Sequence, residues 1–180
     1  MGRAKQTLEV PGQGTLLSYA VQQARQLSCC VSVVVGAGYP LVRFRCAHSP
    51  SRWLYCPDWK QGMSASLASG IQALGPSARG VYVLLGDQPL LADEGLLELG
   101  RCVRNSPDQA WAADYGKRAG VPAWIPRRLW PEVLRLQGDV GAGAVLNQAE
   151  VNRVKIAGVE LDVDTPARWQ QIKQMLAEQT

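Results

Sequence analysis

Apolar positions along the chain follow two periods in alternation, and that alternation predicts an α/β fold. Within residues 15–27, Leu16, Leu17, Ala20, Val21, Ala24 and Leu27 share one helical stripe. The β-branched run from Val31 to Val35 follows as a buried strand. Residues 41–46 alternate apolar and polar side chains, the period of an exposed or edge strand, and residues 49–61, rich in Ser, Pro and Trp, read as a loop. A second helix is predicted over 64–74. The stretch from Gly80 to Gly86 (GVYVLLG) is a continuous apolar run bounded by glycines, as a strand covered on both faces requires, so it is expected at the centre of a sheet.

Downstream the pattern predicts a helix near 93–104, a strand near 110–115, a helix broken near Pro131, a short helix after Gly141, a strand over 151–156 and a final helix from Pro166 onward. There is no internal repeat or linker. The expectation is one domain over 1–180, a three-layer α/β/α unit around a mainly parallel central sheet, with ligands beyond the carboxyl ends of the strands.

Composition narrows the function. The chain has 180 residues, 47% apolar and 19% charged, which suits one globular domain. No apolar run approaches the ~18 residues of a membrane span, and the N-terminal segment lacks the order of a secretory signal, so a cytoplasmic protein without membrane contact is expected. Five cysteines without CxxC spacing argue for a reducing compartment and against structural zinc. The single histidine, His48, lies in a polar run and argues against a Ser-His-Asp triad or a multi-histidine metal site. Net charge is +4, with the positive excess before residue 61, which suits an anionic small molecule or a solvated face; no basic-aromatic motif points to nucleic acid.

Asp87 directly follows the buried run, where an open α/β sheet presents side chains to ligands, and a carboxylate there can hold magnesium between phosphate oxygens or simply shape the turn before Pro89. Asp162 and Asp164 form a second acidic pair that faces one side of an extended chain. Helix initiation competes for the same residues, with Asp164 or Thr165 as cap and Pro166 in the first turn. Gly62, Ser64 and Ser66 combine a glycine, two hydroxyls and a helix start, which can serve an anion or a base, or can be an ordinary N-cap at Ser64. Gly36 and Gly38 lack the third glycine of a dinucleotide fingerprint, so a Rossmann cofactor site is rejected, and without that fingerprint or a redox cysteine pair an oxidoreductase stands only as a minor rival. The glycines between 138 and 143 read as a substrate loop or as a helix entry with Asp139 at the dipole's positive end.

In order, MGRAKQTL, DWKQGMSASLASG, VYVLLGDQP, GVPAWIPRRLW, LQGDVGAGAVL and DVDTPARW resemble the molybdenum cofactor cytidylyltransferase family, nucleotidyltransferases with a glycosyltransferase-like fold. The resemblance implies transfer of a nucleoside monophosphate, CMP from CTP, to a phosphorylated acceptor such as molybdopterin, with pyrophosphate leaving. It implies Lys5 on the triphosphate with Arg3 assisting, Mg2+ on Asp87 and Asp164 with Asp162 as a further partner, and Gly62, Ser64 and Ser66 against base and ribose. A molybdoenzyme or chaperone partner is a further expectation. A related nucleotidyltransferase with another base or acceptor, and a noncatalytic nucleotide-binding remnant, are the alternatives.

Three departures accompany the resemblance. The family's opening strand and glycine-rich loop, Leu-Ala-Ala-Gly followed by Ser and Arg, has no counterpart here. Met1 is therefore expected to be an internal start, with a functional product extending about 15 to 25 residues upstream and with strand edges exposed in its absence. The usual Gly-His-Pro is Gly120-Val121-Pro122, and the usual arginine after Gly-Ala is Gly143.

Overall fold

The computed structural model describes residues 4–178. After a single 3₁₀ turn at Lys5–Thr7 the chain forms the hairpin β1 (Glu9–Val10) and β2 (Gly14–Thr15), then α1 (Leu16–Leu27), β3 (Ser32–Val35), α2 (Leu41–Arg45), β4 (Arg52–Tyr55), α3 (Met63–Gln72) and β5 (Gly80–Val83). There follow α4 (Asp93–Asn105), β6 (Ala110–Asp114), β7 (Ala119–Pro126), α5 (Trp130–Val133), α6 (Gly143–Leu146), β8 (Val151–Val154) and α7 (Pro166–Glu178). Thr15 opens α1 with its hydroxyl accepting from the Ser18 amide, and the stripe read from the sequence buries Leu16, Leu17 and Val21.

Strand alternation divides the side chains between two layers. Val81, Val83, Ala110, Ala112, Ala123 and Ile125 meet α3, α5 and α6 on one face, while Tyr82, Trp111, Ala113 and Trp124 meet α4 and the end of α1 on the other. The α/β class and the three layers agree with the sequence reading. The ladders are mixed rather than mainly parallel: β3 pairs with β4 and β6 with β8 in parallel, whereas β7 runs antiparallel to both β5 and β6. Among the described residues no helix is long and apolar enough to cross a membrane.

Four expectations are corrected. Leu41–Arg45 form the short helix α2 and not a strand, because within it only Val42 is buried, in one cluster with Leu17 and Val21 of α1, while Leu41 and Phe44 face solvent. The loop expected over 49–61 contains β4, which needs only Trp53 and Leu54 half-buried beside β3. The segment 119–126, where no strand was expected, is β7, the inner strand between β5 and β6. Its Pro122 is accommodated because the β6 register shifts between Ala112 and Ala113, leaving Val121 and Pro122 outside the ladder. The apolar run at β5 is an edge and not a centre: the four-stranded order is β5-β7-β6-β8, no ladder joins β5 to β3, and all four β5 residues are only half-buried. α3 packs against β3, and its Leu67 and Ile71 share a cluster with Val81 and Val83 of β5, so the two sheets share a helical layer.

Candidate active site

The chain leaves β5 through Leu84, Leu85 and Gly86 and arrives at Asp87, whose side chain is 17% exposed. Two bonds bring the distant acidic segment to this point. The Val163 main-chain amide donates to the Asp87 carbonyl at 2.9 Å, and the Gln88 side-chain Nε2 donates to the Val159 carbonyl at 2.7 Å. Gln88 is buried and also donates to the Tyr115 hydroxyl, which in turn donates to the Val121 carbonyl, so the end of β5 is tied to the β6–β7 turn as well. Val163, fully buried among Leu16, Leu90 and Trp169, fixes the segment from beneath. With Val163 turned inward, Asp162 and Asp164 stay beside Asp87.

Lys5 closes the cluster. Its Nζ donates to Asp87 Oδ2 at 2.6 Å and to Asp164 Oδ1 at 3.3 Å. Burial pulls the ammonium pKa down, but the hydrogen bond and charge of Asp87, joined by those of Asp164, outweigh it and hold the pKa above the usual lysine value. Asp164 is free for this contact because Thr165 does the capping: its hydroxyl accepts from the Arg168 amide at 3.1 Å at the start of α7.

Asp87 Oδ1 and Asp162 Oδ1 are buried without a hydrogen-bond partner among the described residues. Burial pushes the Asp162 carboxyl above the ordinary range, the Gln88 amide opposes this, and the charges of Asp87 and Asp164 add to the rise against the pull of Lys5. Orphaned carboxylate oxygens of this kind fit a hard cation with oxygen preference. No three His, Cys, Asp or Glu side chains form a ready ligand cluster among the described residues, but a magnesium ion that shares its shell with waters and phosphates needs only one or two protein carboxylates.

A pH prediction follows from Asp162. A carboxyl whose folded pKa lies above its unfolded value favours the protonated native state, so its ionisation costs stability that builds up as pH rises from the unfolded pKa to the folded one and is absent in acid. Asp162→Asn should therefore raise the melting temperature of the metal-free protein at neutral pH, and the gain should fade below the ordinary carboxylate range. Thermal melts between about pH 3 and pH 8 check this; a gain that persists undiminished in acid overturns it.

Among the described residues, Gly62, Ser64 and Ser66 make no hydrogen bond to Lys5. Gly62 holds φ +109° at the start of α3 and presses against the Gly138 carbonyl group, 2.7 Å from the Asp139 amide nitrogen to the place a Cβ would take. The Ser64 hydroxyl and amide both donate to the Gly138 carbonyl, at 2.8 and 3.2 Å, so this serine is not the N-cap but a clamp on the 137–139 loop. Asp139 reaches α3, where its Oδ1 accepts from the Met63 amide at 3.4 Å, and not the helix that follows it. Ser66 lies on the same side of α3 as Gly70, which faces Val34 of β3, and its hydroxyl makes no hydrogen bond among the described residues. A cleft of about 500 Å3 between α3 and the 136–138 loop contains Ser64 but none of Lys5, Asp87, Asp164 or Ser66. Arg3 lies outside the described residues. Gln88 and Tyr115 were not singled out as site residues in the sequence, and only the position of Gln88 beside Asp87 could have signalled its part.

Comparison with known proteins places the chain as a whole. The family described as "MobA-like NTP transferase domain" matches residues 1–154. None of the curated proteins matches the chain in sequence. Among solved structures the fold is similar to Rv0371c of Mycobacterium tuberculosis, with a TM-score of 0.82 and 26% identity over 97% of this chain and 91% of that one. A structure of Rv0371c in complex with manganese superposes with a TM-score of 0.80 at 26% identity, over 96% of this chain and 93% of that one. A nucleotidyl transferase from Methanothermobacter has the same fold, with a TM-score of 0.81 at 18% identity over 98% of this chain and 86% of that one.

Proposed function

The chain belongs to the MobA-like NTP transferase domain family, and from that premise we propose that it transfers a nucleoside monophosphate from a nucleoside triphosphate to a phosphorylated acceptor, releasing pyrophosphate. The observation that carries this reading is the convergence of Asp87 and Asp164 on one point, with the Val163 amide stapled to the Asp87 carbonyl. Asp87 and Asp164, with Asp162 beside them, would hold the magnesium ion, which when bound offsets charge on the α-phosphate and the departing pyrophosphate.

The remaining chemistry is positioning. An ionised acceptor phosphate is already a nucleophile at neutral pH: its oxygen attacks the α-phosphorus, the bond to the bridging α,β-oxygen breaks, and pyrophosphate takes up the negative charge. No general base and no covalent enzyme intermediate are needed. Lys5 stabilises charge on the triphosphate as it develops. Gly62 and Ser66 flank the base and ribose, while Ser64 acts through the 137–139 loop it clamps.

CTP as donor and molybdopterin as acceptor are the specific substrates of this reading, supported by the order of the motifs along the chain. Val121 stands where the cytidylyltransferases carry histidine, and its main-chain carbonyl accepts from the Tyr115 hydroxyl, which accepts from Gln88, the neighbour of Asp87; the apolar side chain at this position favours a second reading in which the acceptor is a different phosphorylated compound. Melting curves with CTP, GTP and ATP in the presence of Mg2+ or Mn2+ test the donor. Binding to the folded state at about 100 times Kd adds about 2.7 kcal/mol of apparent stability, so the preferred donor should give the largest rise. Pyrophosphate release with a molybdopterin acceptor tests the second substrate. If no nucleoside triphosphate raises the melting temperature, the proposal fails.

A further inference from the structure

Lys5 occupies the two carboxylates that the proposed reaction needs for its divalent cation. Asp87 and Asp164 meet at the Lys5 ammonium, which offsets part of their charge through donors at 2.6 and 3.3 Å, and Asp162 lies two residues before Asp164 in the same segment. From this geometry we propose that the ammonium is a placeholder for the divalent cation: the two compete for Asp87 and Asp164, and cation binding hands Lys5 over to the triphosphate. The inference rests on the nucleotidyl-transfer reading only for the identity of the group that receives Lys5. The competition itself belongs to these side chains.

The physical basis is local. A lysine ammonium is a compact charge with three rotatable donors on a flexible stem, so it can leave one anionic partner for another without moving the backbone. That backbone is anchored, since Thr7 is buried with its hydroxyl on the Ala4 carbonyl, and the Leu8 amide donates to the Lys5 carbonyl. The Lys5 side chain is 32% exposed, which leaves it an open side toward which to move. A dication drawn to the same Asp87 and Asp164 oxygens meets an ammonium of like charge already bonded to them, and the repulsion between neighbouring cations in a partly buried site is strong. The metal alone should therefore bind weakly. A triphosphate supplies new acceptors for the ammonium, so metal and triphosphate should each favour the other's binding by the same factor.

Two measurements without turnover test this. In a calorimetric titration with Mn2+ alone, Lys5→Met is expected to bind the ion at least about tenfold more tightly than the native protein. In the unaltered protein, reductive methylation of Lys5 by formaldehyde and borohydride, read by peptide mass spectrometry, should run several-fold faster at saturating Mn2+ than without it. Equal or weaker Mn2+ binding by a folded Lys5→Met, or a Lys5 labelling rate indifferent to Mn2+, overturns the placeholder. If Lys5→Met does not fold, the labelling result decides. Should the placeholder fail while the native protein still binds Mn2+ and releases pyrophosphate, nucleotidyl transfer stands without it. Should neither protein bind Mn2+ and no pyrophosphate appear, both fail together.

Discussion

Asp87→Ala is expected to lower metal-dependent pyrophosphate release by about 1,000-fold while leaving the protein folded. Asp87 is the more enclosed of the two carboxylates bonded to Lys5, 17% exposed against 70% for Asp164, and it lies in the turn that follows β5. Its loss removes the anchor of any cation at this point and leaves Lys5 with Asp164. The cost to stability should be small, about 1 kcal/mol, because Lys5 is partly solvated and the Val163 amide bonds to the main-chain carbonyl of Asp87 and not to its side chain. Circular dichroism and a thermal melt establish the fold, and a coupled pyrophosphate assay reads the activity. Turnover within about tenfold of the native protein would remove Asp87 from the reaction, whatever the melt shows.

Much of this arrangement is legible before folding is considered, and the reason is that its signals are local. Asp87 terminates an apolar run, and Asp162 and Asp164 precede a Thr-Pro helix start, so both acidic points are marked by their immediate neighbours. The stripe of α1 and the run of β3 are equally self-contained. Elements specified by distant partners are not legible in this way. β7 holds an inner position despite Pro122 and Pro126 because a register shift takes Val121 and Pro122 out of the ladder and Pro126 lies at the strand's last pair, opposite Gly80. The alternation at 41–46 matches a strand over so few residues, yet a single buried Val42 is enough to seat a helical turn. The long bonds from Ser64 to Gly138 and from Gln88 to Val159 leave no periodic trace at all.

The half-buried state of β5 shows why an apolar run does not by itself place a strand at a sheet's centre. Val81 and Val83 are covered by α3, and Tyr82 stacks on Trp124 with ring centroids 4.8 Å apart, so both faces of β5 are packed. What the strand lacks is a ladder on one side. Apolar content reports covered faces, whereas edge or centre is decided by main-chain bonds that carry no side-chain signature. Because Asp87 lies in the turn beyond the carboxyl end of the strand and not along its edge, this difference does not touch the site.

The largest effect on stability should come from Gly158→Ala, a residue with no chemistry of its own. Gly158 holds φ +87°, and a Cβ there would be driven into the Leu90 carbonyl and lie 3.1 Å from the Leu91 amide nitrogen. Both obstacles are main chain and cannot swing away. The turn is also bound where it stands, with the Ala92 amide on the Ala157 carbonyl at 3.0 Å and the Leu161 amide on the Gly158 carbonyl at 3.1 Å. Backbone strain and overlap together are expected to cost about 3–5 kcal/mol, near the upper end for single substitutions, and to lower the melting temperature by about 10 °C. Gly116→Ala is the matched control: φ is +77° but nothing lies within 4 Å of the added methyl, so only the strain of about 1 kcal/mol remains. The segment displaced by Gly158→Ala leads directly into Asp162 and Asp164, while Leu90 follows Asp87 closely in the chain. Turnover should therefore fall even at temperatures where the variant is still folded, as the two acidic points are pushed apart. If Gly158→Ala melts no lower than Gly116→Ala, the packing of this turn on Leu90 does not hold the site together.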